Sequence, residues 1–281
     1  MIKKILVFLE MIKFEHTVFA LPFAFMGALL AAGGIPAWNK SVWILLAMVG
    51  ARTAAMGFNR IVDLPYDSRN PRTSGRALPK GDIKTGEARL FVLFAAALFF
   101  FAAYRLNRLT LLLSPLALAT VLFYSYTKRV TWLAHIFLGL ALGIAPAAGW
   151  VAVKGTLDTL PLFLSAGVIF WVAGFDVIYA CMDFEFDRET GLHSIPCRFG
   201  RENAFFFAAL FHILAFLLFF YTGIRAGLGW IYYAGVFLTA LALVLQHVFV
   251  TPRDLSKINL SFFTMNGVIS ITLFFATWAA L

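Results

Sequence analysis

Charged residues are scarce in this sequence: Asp, Glu, Lys and Arg make up 13% of its 281 residues, whereas 62% of the residues are hydrophobic. A soluble domain of this length could not bury so large an apolar fraction away from water. The composition therefore excludes an ordinary soluble enzyme, and it predicts a protein embedded in a lipid bilayer.

Cysteine is also scarce, with only Cys181 and Cys197 in the chain. Their spacing matches no zinc or redox motif, and the five histidines do not supply the missing ligands. The sequence thus argues against a disulfide framework and against a site for a soft metal. Any bound metal is expected to have oxygen ligands.

Long apolar runs are abundant by contrast, and each is long enough to cross a hydrocarbon layer of about 30 Å as a helix of about 20 residues. Nine spans are expected, at residues 17–34, 42–62, 88–104, 108–126, 133–153, 160–182, 203–223, 228–250 and 258–279. They predict an all-α, polytopic membrane protein with its helices around a central cavity, and residues 1–281 form one membrane domain.

The two longest connections on one side, residues 68–87 and 188–202, follow the second and sixth spans. This period of four spans predicts two four-helix pseudo-repeats plus a ninth helix. Basic residues concentrate in the same set of alternate connections, which places these connections in the cytoplasm by the positive-inside rule. We expect a multi-pass protein of a prokaryotic inner or plasma membrane. The net charge of +9 then reflects topology and anion binding, so no nucleic-acid partner is predicted.

Acidic clusters occur at the ends of the second and sixth spans, where ionisable groups are costly and usually functional. The first acid motif consists of Asn59, Asp63 and Asp67, and the second of Asp176, Asp183 and Asp187. Residues four apart share a helix face, so the two motifs can meet at a common site that opens to the cytoplasm. Carboxylate and amide oxygens suit Mg²⁺, which makes all six side chains candidate metal ligands.

Basic side chains close to these acids predict an anionic ligand. They are Arg72, Arg76 and Lys80 after the first motif, and Lys128 after the fourth span. Carboxylates that hold Mg²⁺ beside Arg and Lys are typical of a diphosphate site. Because the surrounding spans are apolar and rich in Phe, the expected ligand is a diphosphate with a long hydrocarbon tail.

The acid motifs resemble the two signature motifs of the UbiA superfamily of intramembrane prenyltransferases in spacing, order and position. They read Asn59-x-x-x-Asp63-x-x-x-Asp67 and Asp176-x-x-Tyr179-x-x-x-Asp183-x-x-x-Asp187. Further similarity lies in Arg72-Thr73, in residues 124–128 and in residues 187–196, and it extends over essentially the whole chain. Within the superfamily the chain is most similar to 4-hydroxybenzoate polyprenyltransferases and their menaquinone-pathway relatives. Pro65 is a departure, and we expect it to end or kink the helix before Asp67.

The resemblance implies Mg²⁺-dependent transfer of a polyprenyl group from polyprenyl diphosphate to an aromatic acceptor through a carbocation, in quinone biosynthesis. The acceptor would be similar to 4-hydroxybenzoate or a hydroxynaphthoate. The implied catalytic residues are Asp63, Asp183, Asp187 and Lys128. The implied diphosphate-binding residues are Arg72, Arg76, Lys80, Lys128 and Tyr179. Candidates for binding the acceptor carboxylate are Lys13, His16 and Arg52.

Two alternatives are open. Another reaction of the superfamily, such as haem farnesylation, would use the same donor site. A cation-coupled transporter would also place acids in membrane helices at a repeat interface. The acids of a transporter are expected near the membrane midplane, whereas these lie at one face beside anion-binding cations.

Overall fold

The computed structural model of the protein describes residues 2–12 and 17–281, and its regular elements there are helices. In chain order the α-helices are α1 (Ile2–Met11), α2 (Thr17–Ala32), α3 (Trp38–Val62), α4 (Leu64–Asp67), α5 (Thr85–Leu106), α6 (Arg108–Thr127), α7 (Ala134–Lys154), α8 (Leu160–Ala180), α9 (Phe184–Glu189), α10 (Ile195–Ala226), α11 (Trp230–Phe249) and α12 (Asn266–Ala279). A 3₁₀ turn (Cys181–Asp183) joins α8 to α9, and a π-helical segment (Leu260–Met265) leads into α12.

Eight helical stretches of the described chain are long and apolar enough to cross a membrane, judged by length and composition, and Ala20–Ala32 is a shorter apolar helix. The all-α, polytopic fold class is thereby confirmed, while the predicted count of nine spans is approximate. One clear difference in bounds concerns α10, which begins at Ile195 rather than near residue 203. Ser194 caps its first turn by accepting a hydrogen bond from the Cys197 backbone N–H, and the helix is interrupted at Gly200, where φ is 81°.

Helices α2 and α7 pack in close backbone contact. A Cβ atom at Gly149 would lie 1.9 Å from the carbonyl oxygen of Ala24, and one at Gly27 would lie 1.9 Å from that of Pro146. Only glycine permits this backbone approach, as is common where membrane helices pack. Helix α8 lies inside the bundle, and its Trp171 side chain is fully buried between Phe23 and Phe175.

Both acid motifs lie where a membrane helix breaks. Helix α3 ends at Val62, Asp63 has φ −85° and ψ 0°, and the four-residue α4 follows with Pro65 near its start. Helix α8 tightens into the 3₁₀ turn, whose last residue Asp183 has φ −96° and ψ 7°, and α9 begins at the next residue. The break before Asp67 confirms the prediction from Pro65. The continuous helix face expected for the second motif is wrong, because the 3₁₀ turn interrupts it, although in both motifs the acids stay on one side.

Candidate functional site

All six side chains of the two acid motifs line one polar cavity of about 230 Å³. The predicted anion-binding residues Arg72, Arg76, Lys128 and Tyr179 line it as well. Lys80 does not line this cavity; its side chain is exposed on the connection between α4 and α5. The candidates Lys13 and His16 lie outside the described residues.

The first acid motif is partnered mainly from the segments next to it. Asn59 Nδ2 donates to Asp63 Oδ2 at 2.7 Å, and Arg76 Nη1 lies 2.7 Å from each carboxylate oxygen of Asp67. Arg129 Nη2 reaches Asp63 Oδ1 at 3.3 Å and also donates to the carbonyl oxygen of Val62 at 2.7 Å, which satisfies the broken end of α3. The first motif is therefore held by the turn that follows α6 and by the connection that follows α4.

The second acid motif is partnered from distant parts of the sequence. Arg72 forms a bidentate ion pair with Asp183, in which Nε lies 2.8 Å from Oδ1 and Nη2 lies 2.5 Å from Oδ2. Asn70 Nδ2 donates to the same Oδ1 at 3.1 Å, and Lys128 Nζ lies 3.3 Å from Asp187 Oδ2. These contacts bring the two predicted clusters together in one site.

Asp176 is oriented by a histidine that the sequence did not single out. His135 is fully buried on α7, and its Nδ1 lies 2.7 Å from Asp176 Oδ2. Its Nε2 accepts the backbone N–H of Ile195 at 3.2 Å. Because Nε2 is an acceptor, the ring proton belongs on Nδ1, which then donates to the carboxylate. The backbone N–H at the start of α10 thus orients the imidazole, and the imidazole orients the Asp176 carboxylate.

Asn70 and Arg129 also belong to the site, although sequence reasoning assigned them no role. Asn70 stands between Asp67 and Arg72, and Arg129 follows Lys128. Proximity to motif residues was the only available signal. This signal is not specific, because many polar residues of cytoplasmic connections have such neighbours without contributing to a site.

Burial and charge change the protonation of groups at the cytoplasmic ends of these helices. Desolvation raises the pKa of Asp63 above its ordinary value, and the nearby Asp67 charge adds to the increase against the opposing Arg129. Burial disfavours the Lys128 ammonium, but the carboxylates of Asp187, Asp176 and Asp183 together outweigh that effect and raise the pKa of Lys128. Lys128 therefore carries its positive charge beside the second motif.

A second, apolar cavity of about 410 Å³ continues from the polar one. The two cavities share the lining residues Asn59, Arg60, Tyr124, Leu138, Asp176 and Tyr179. From this boundary the apolar cavity extends along α3, α6 and α7 to Leu106 at the end of α5 and to Leu157 on the connection between α7 and α8. Arg52 lines the apolar cavity about two turns before Asn59 on α3.

The donor set fits a hard divalent cation. The two acid motifs offer five carboxylates and one amide, whose oxygen atoms suit Mg²⁺. Among the described residues, no three His, Cys, Asp or Glu side chains converge as a ready-made metal site. This arrangement suits an ion that takes one or two carboxylates from the protein and completes its shell with water and phosphate oxygens.

Comparisons with known proteins agree with this arrangement. A model described as the UbiA prenyltransferase family matches residues 20–268. The 4-hydroxybenzoate octaprenyltransferase of Citrobacter koseri is 30% identical over 243 residues, which cover 85% of this chain and 82% of that protein.

Solved structures show the same fold. The apo structure of a UbiA homolog from Aeropyrum pernix K1 has a TM-score of 0.85 and 37% identity, and the match covers 93% of this chain and 96% of that one. A UbiA homolog from Archaeoglobus fulgidus, solved bound to GPP and Mg²⁺, has a TM-score of 0.75 at 21% identity, with 97% and 99% of the two chains covered. The latter likeness concerns the fold alone.

Proposed function

Because this chain belongs to the UbiA prenyltransferase family and is a multi-pass membrane prenyltransferase, we propose that it transfers a polyprenyl group from polyprenyl diphosphate to an aromatic acceptor. The acceptor is similar to 4-hydroxybenzoate or a hydroxynaphthoate, and the reaction belongs to quinone biosynthesis. The observation that carries the proposal is the junction of the two cavities, since a polar cavity rich in acids and bases opens directly into a long apolar one. A diphosphate head and a hydrocarbon tail match these two environments.

The acid motifs would hold Mg²⁺ through Asn59, Asp63, Asp67, Asp176, Asp183 and Asp187. When bound, Mg²⁺ would neutralise charge on the diphosphate oxygens. The Archaeoglobus fulgidus homolog bound to GPP and Mg²⁺ supports this assignment by analogy of fold. Asp63 is the best-placed carboxylate, because its side chain is 31% exposed and those of Asp67, Asp183 and Asp187 are 9%, 10% and 4% exposed.

The basic side chains bind the diphosphate and stabilise it as it leaves. Arg72 and Lys128 border the polar cavity from two directions, and Arg76 approaches beside Asp67. Their positive charges favour heterolysis of the allylic C–O bond, in which the diphosphate departs with the bonding electron pair. A carbon of the electron-rich acceptor ring then forms the new C–C bond, and the ring proton is lost to restore aromaticity. Lys80 does not line the cavity, and we leave it out of this role.

Arg52 is the described candidate for binding the acceptor carboxylate. It is a cation in the wall of the apolar cavity, on the same helix as Asn59 and Asp63. An acceptor held there would lie on the apolar side of the acid motifs, next to the reacting end of the prenyl chain. We place the opening of the polar cavity on the cytoplasmic side, because the basic connections adjoin it.

Similarity to a 4-hydroxybenzoate octaprenyltransferase favours an aromatic acceptor over haem. The cation-coupled transporter has no comparable support, because the family is one of transferases and the acids adjoin the broken ends of α3 and α8.

The experiment supplies detergent-purified protein with Mg²⁺, a labelled polyprenyl diphosphate and a panel of hydroxybenzoates and hydroxynaphthoates. We expect one acceptor class to yield a prenylated product, identified by mass. Asp158→Asn is the matched control for acid substitutions, because Asp158 pairs with Lys154 at the far end of α7 and lines neither cavity. Folded protein that forms no prenylated product with any aromatic acceptor would contradict the proposal.

A further inference from the structure

The last membrane helix begins with an irregular segment that faces the apolar cavity. Residues Leu260–Met265 form a π-helix before α12. Single π turns are rare, and they often occur at functional sites because the wider turn changes the direction of a side chain. Here Phe262 of the π segment lines the apolar cavity, whereas Phe263 beside it is 38% exposed.

Phe262 completes an aromatic wall with two residues of α8. Its ring centroid lies 4.5 Å from that of Tyr179 and 5.3 Å from that of Phe175, and it is perpendicular to the Phe175 ring. All three rings line the apolar cavity, and Tyr179 also lines the polar one. The wall therefore starts at the boundary between the two cavities.

The wall is joined to the diphosphate side through Arg72. Its Nη1 donates to the Tyr179 hydroxyl at 3.3 Å, and its guanidinium carbon lies 5.4 Å from the centroid of the Tyr179 ring. The bond that breaks connects the diphosphate to the hydrocarbon chain, so it must lie where the polar cavity meets the apolar one. The three rings flank this position.

A buried polar network holds the π segment in place. Asn266 Nδ2 donates to the carbonyl oxygen of Phe262 at 2.9 Å. Asn266 Oδ1 accepts from Trp171 Nε1 at 3.0 Å and from Gln246 Nε2 at 2.8 Å. All three side chains are fully buried, and polar groups in such surroundings are costly unless they bond to one another. The network thus links α8, α11 and α12 at the residue that supplies the third ring.

We propose that Phe262 is a catalytic residue that, with Phe175 and Tyr179, stabilises the allylic cation and excludes water from it, and that Asn266 is its positioning residue. This inference rests on the proposed prenyl transfer. Aromatic faces attract a cation through their quadrupole, and the attraction is strongest where water is absent. The cation has two fates: a ring carbon of the acceptor forms a C–C bond with it and loses a proton, or water adds to it and loses a proton to give the prenyl alcohol. The wall favours the first fate.

The test measures kcat together with the ratio of prenyl alcohol to prenylated acceptor, starting from one labelled donor. Phe262→Leu should lower kcat by about tenfold and raise the alcohol fraction, because the cation loses one aromatic face. Phe262→Tyr should restore most of both values, and Asn266→Leu should raise the alcohol fraction without removing the ring. Phe275→Leu is the matched control, because Phe275 lies on the same helix but is 53% exposed and lines neither cavity.

The outcomes separate this inference from the proposed function. Failure of the wild-type protein to form a prenylated product would overturn the proposed function itself. An active wild type whose Phe262→Leu variant keeps kcat and the alcohol fraction would overturn only the role of Phe262. A variant that raises KM for the donor but leaves the alcohol fraction unchanged would also overturn it, since the ring would then bind only the tail. If Asn266→Leu reduces the amount of folded protein, Phe175→Leu is the second variant that tests the aromatic wall, and it should also lower kcat and raise the alcohol fraction.

Discussion

The two acid motifs have the same backbone design but different partners. Each follows a membrane helix that breaks at an aspartate in nearly the same conformation, Asp63 in one and Asp183 in the other. The Asp63 side chain is 31% exposed, and Arg129 contacts only its Oδ1 atom. The Asp183 side chain is 10% exposed, because Arg72 and Asn70 both contact its carboxylate. Asp63 is thus the more open of the two aspartates to a ligand, whereas Asp183 is closed by residues from the first half of the chain; Asp67 of the first motif is itself closed by Arg76.

This difference predicts where the proposed diphosphate would compete with the protein's own ion pairs. The cations that neutralise Asp183 and Asp187 are Arg72 and Lys128, and both belong to the first half of the chain. A diphosphate that recruits these two cations weakens their ion pairs with the second motif and leaves its carboxylates available to a divalent ion. Substrate and metal are therefore expected to bind with positive coupling, each raising the affinity for the other.

The largest expected effect comes from removing one acid of each motif. Asp63→Ala and Asp183→Ala should each lower kcat/KM by about a thousandfold, because each removes charge that stabilises the reacting complex. Because the two aspartates have different partners, we expect different origins for the two losses of activity. Asp63→Ala should raise the Mg²⁺ concentration needed for half-maximal rate, while Asp183→Ala should also alter donor binding because it frees Arg72.

Rates measured against Mg²⁺ and donor concentration, with Asp158→Asn as the control, check both statements. A variant of either aspartate with near-normal turnover would remove that residue from the proposed metal set.

Arg72→Lys is expected to have the next largest effect. The guanidinium contacts both oxygens of Asp183 and the Tyr179 hydroxyl, and a lysine ammonium cannot reproduce this planar set of donors. We expect KM for the donor to rise by about ten- to a hundredfold, since a charge-assisted pair of this kind is worth about 1.5–3 kcal/mol.

Arg69→Lys is the matched control, because Arg69 lies on the same connection and lines neither cavity. Equal KM values for the two variants would contradict the bridging role of Arg72 between the halves.

The structural features of the two motifs that depend on local sequence, namely the membrane helices and the break before Asp67, could be predicted. Long apolar runs identify the helices because the hydrocarbon layer sets their length, and Pro65 predicted the break before Asp67 because its ring cannot continue a helix. The matching break at Cys181–Asp183 has no proline or glycine, so no local signal announced it.

The partners of the second motif could not be predicted, because they depend on packing between distant segments. Arg72 and Asp183 are separated by 111 residues, and His135 and Asp176 by 41. A buried histidine in an apolar helix has the same sequence pattern whether or not it orients an acid. The exposed position of Lys80 was likewise invisible, since its charge and place in the chain resemble those of Arg76.

A smaller effect is expected when the support of Asp176 is changed. His135→Ala removes both the donor to Asp176 and the acceptor for the Ile195 N–H, and it should lower kcat/KM by about tenfold, as for other residues that orient a ligand. His135→Asn keeps an N–H donor near the position of Nδ1, so it should recover part of the loss.

His193→Ala is the control for this pair, because His193 lies on the neighbouring connection and lines neither cavity. Equal losses in His135→Ala and His135→Asn would indicate that the imidazole supports packing and does not orient Asp176.

The smallest expected effect is a shift in the pH dependence that Asp63 controls. Burial and the neighbouring Asp67 charge raise the pKa of Asp63, so as the pH falls this carboxylate takes up a proton earlier than an ordinary aspartate does. If the carboxylate form is required, the acid limb of kcat/KM lies above the usual aspartate range. Asp67→Asn removes the charge of its neighbour and should move the limb to lower pH, whatever its effect on the maximal rate. Added Mg²⁺ should move it in the same direction, because the cation competes with the proton. The pH profiles of the wild type, Asp67→Asn and the exposed control Glu185→Gln measure this directly, and a limb that stays fixed in all three would show that another group controls the acid side.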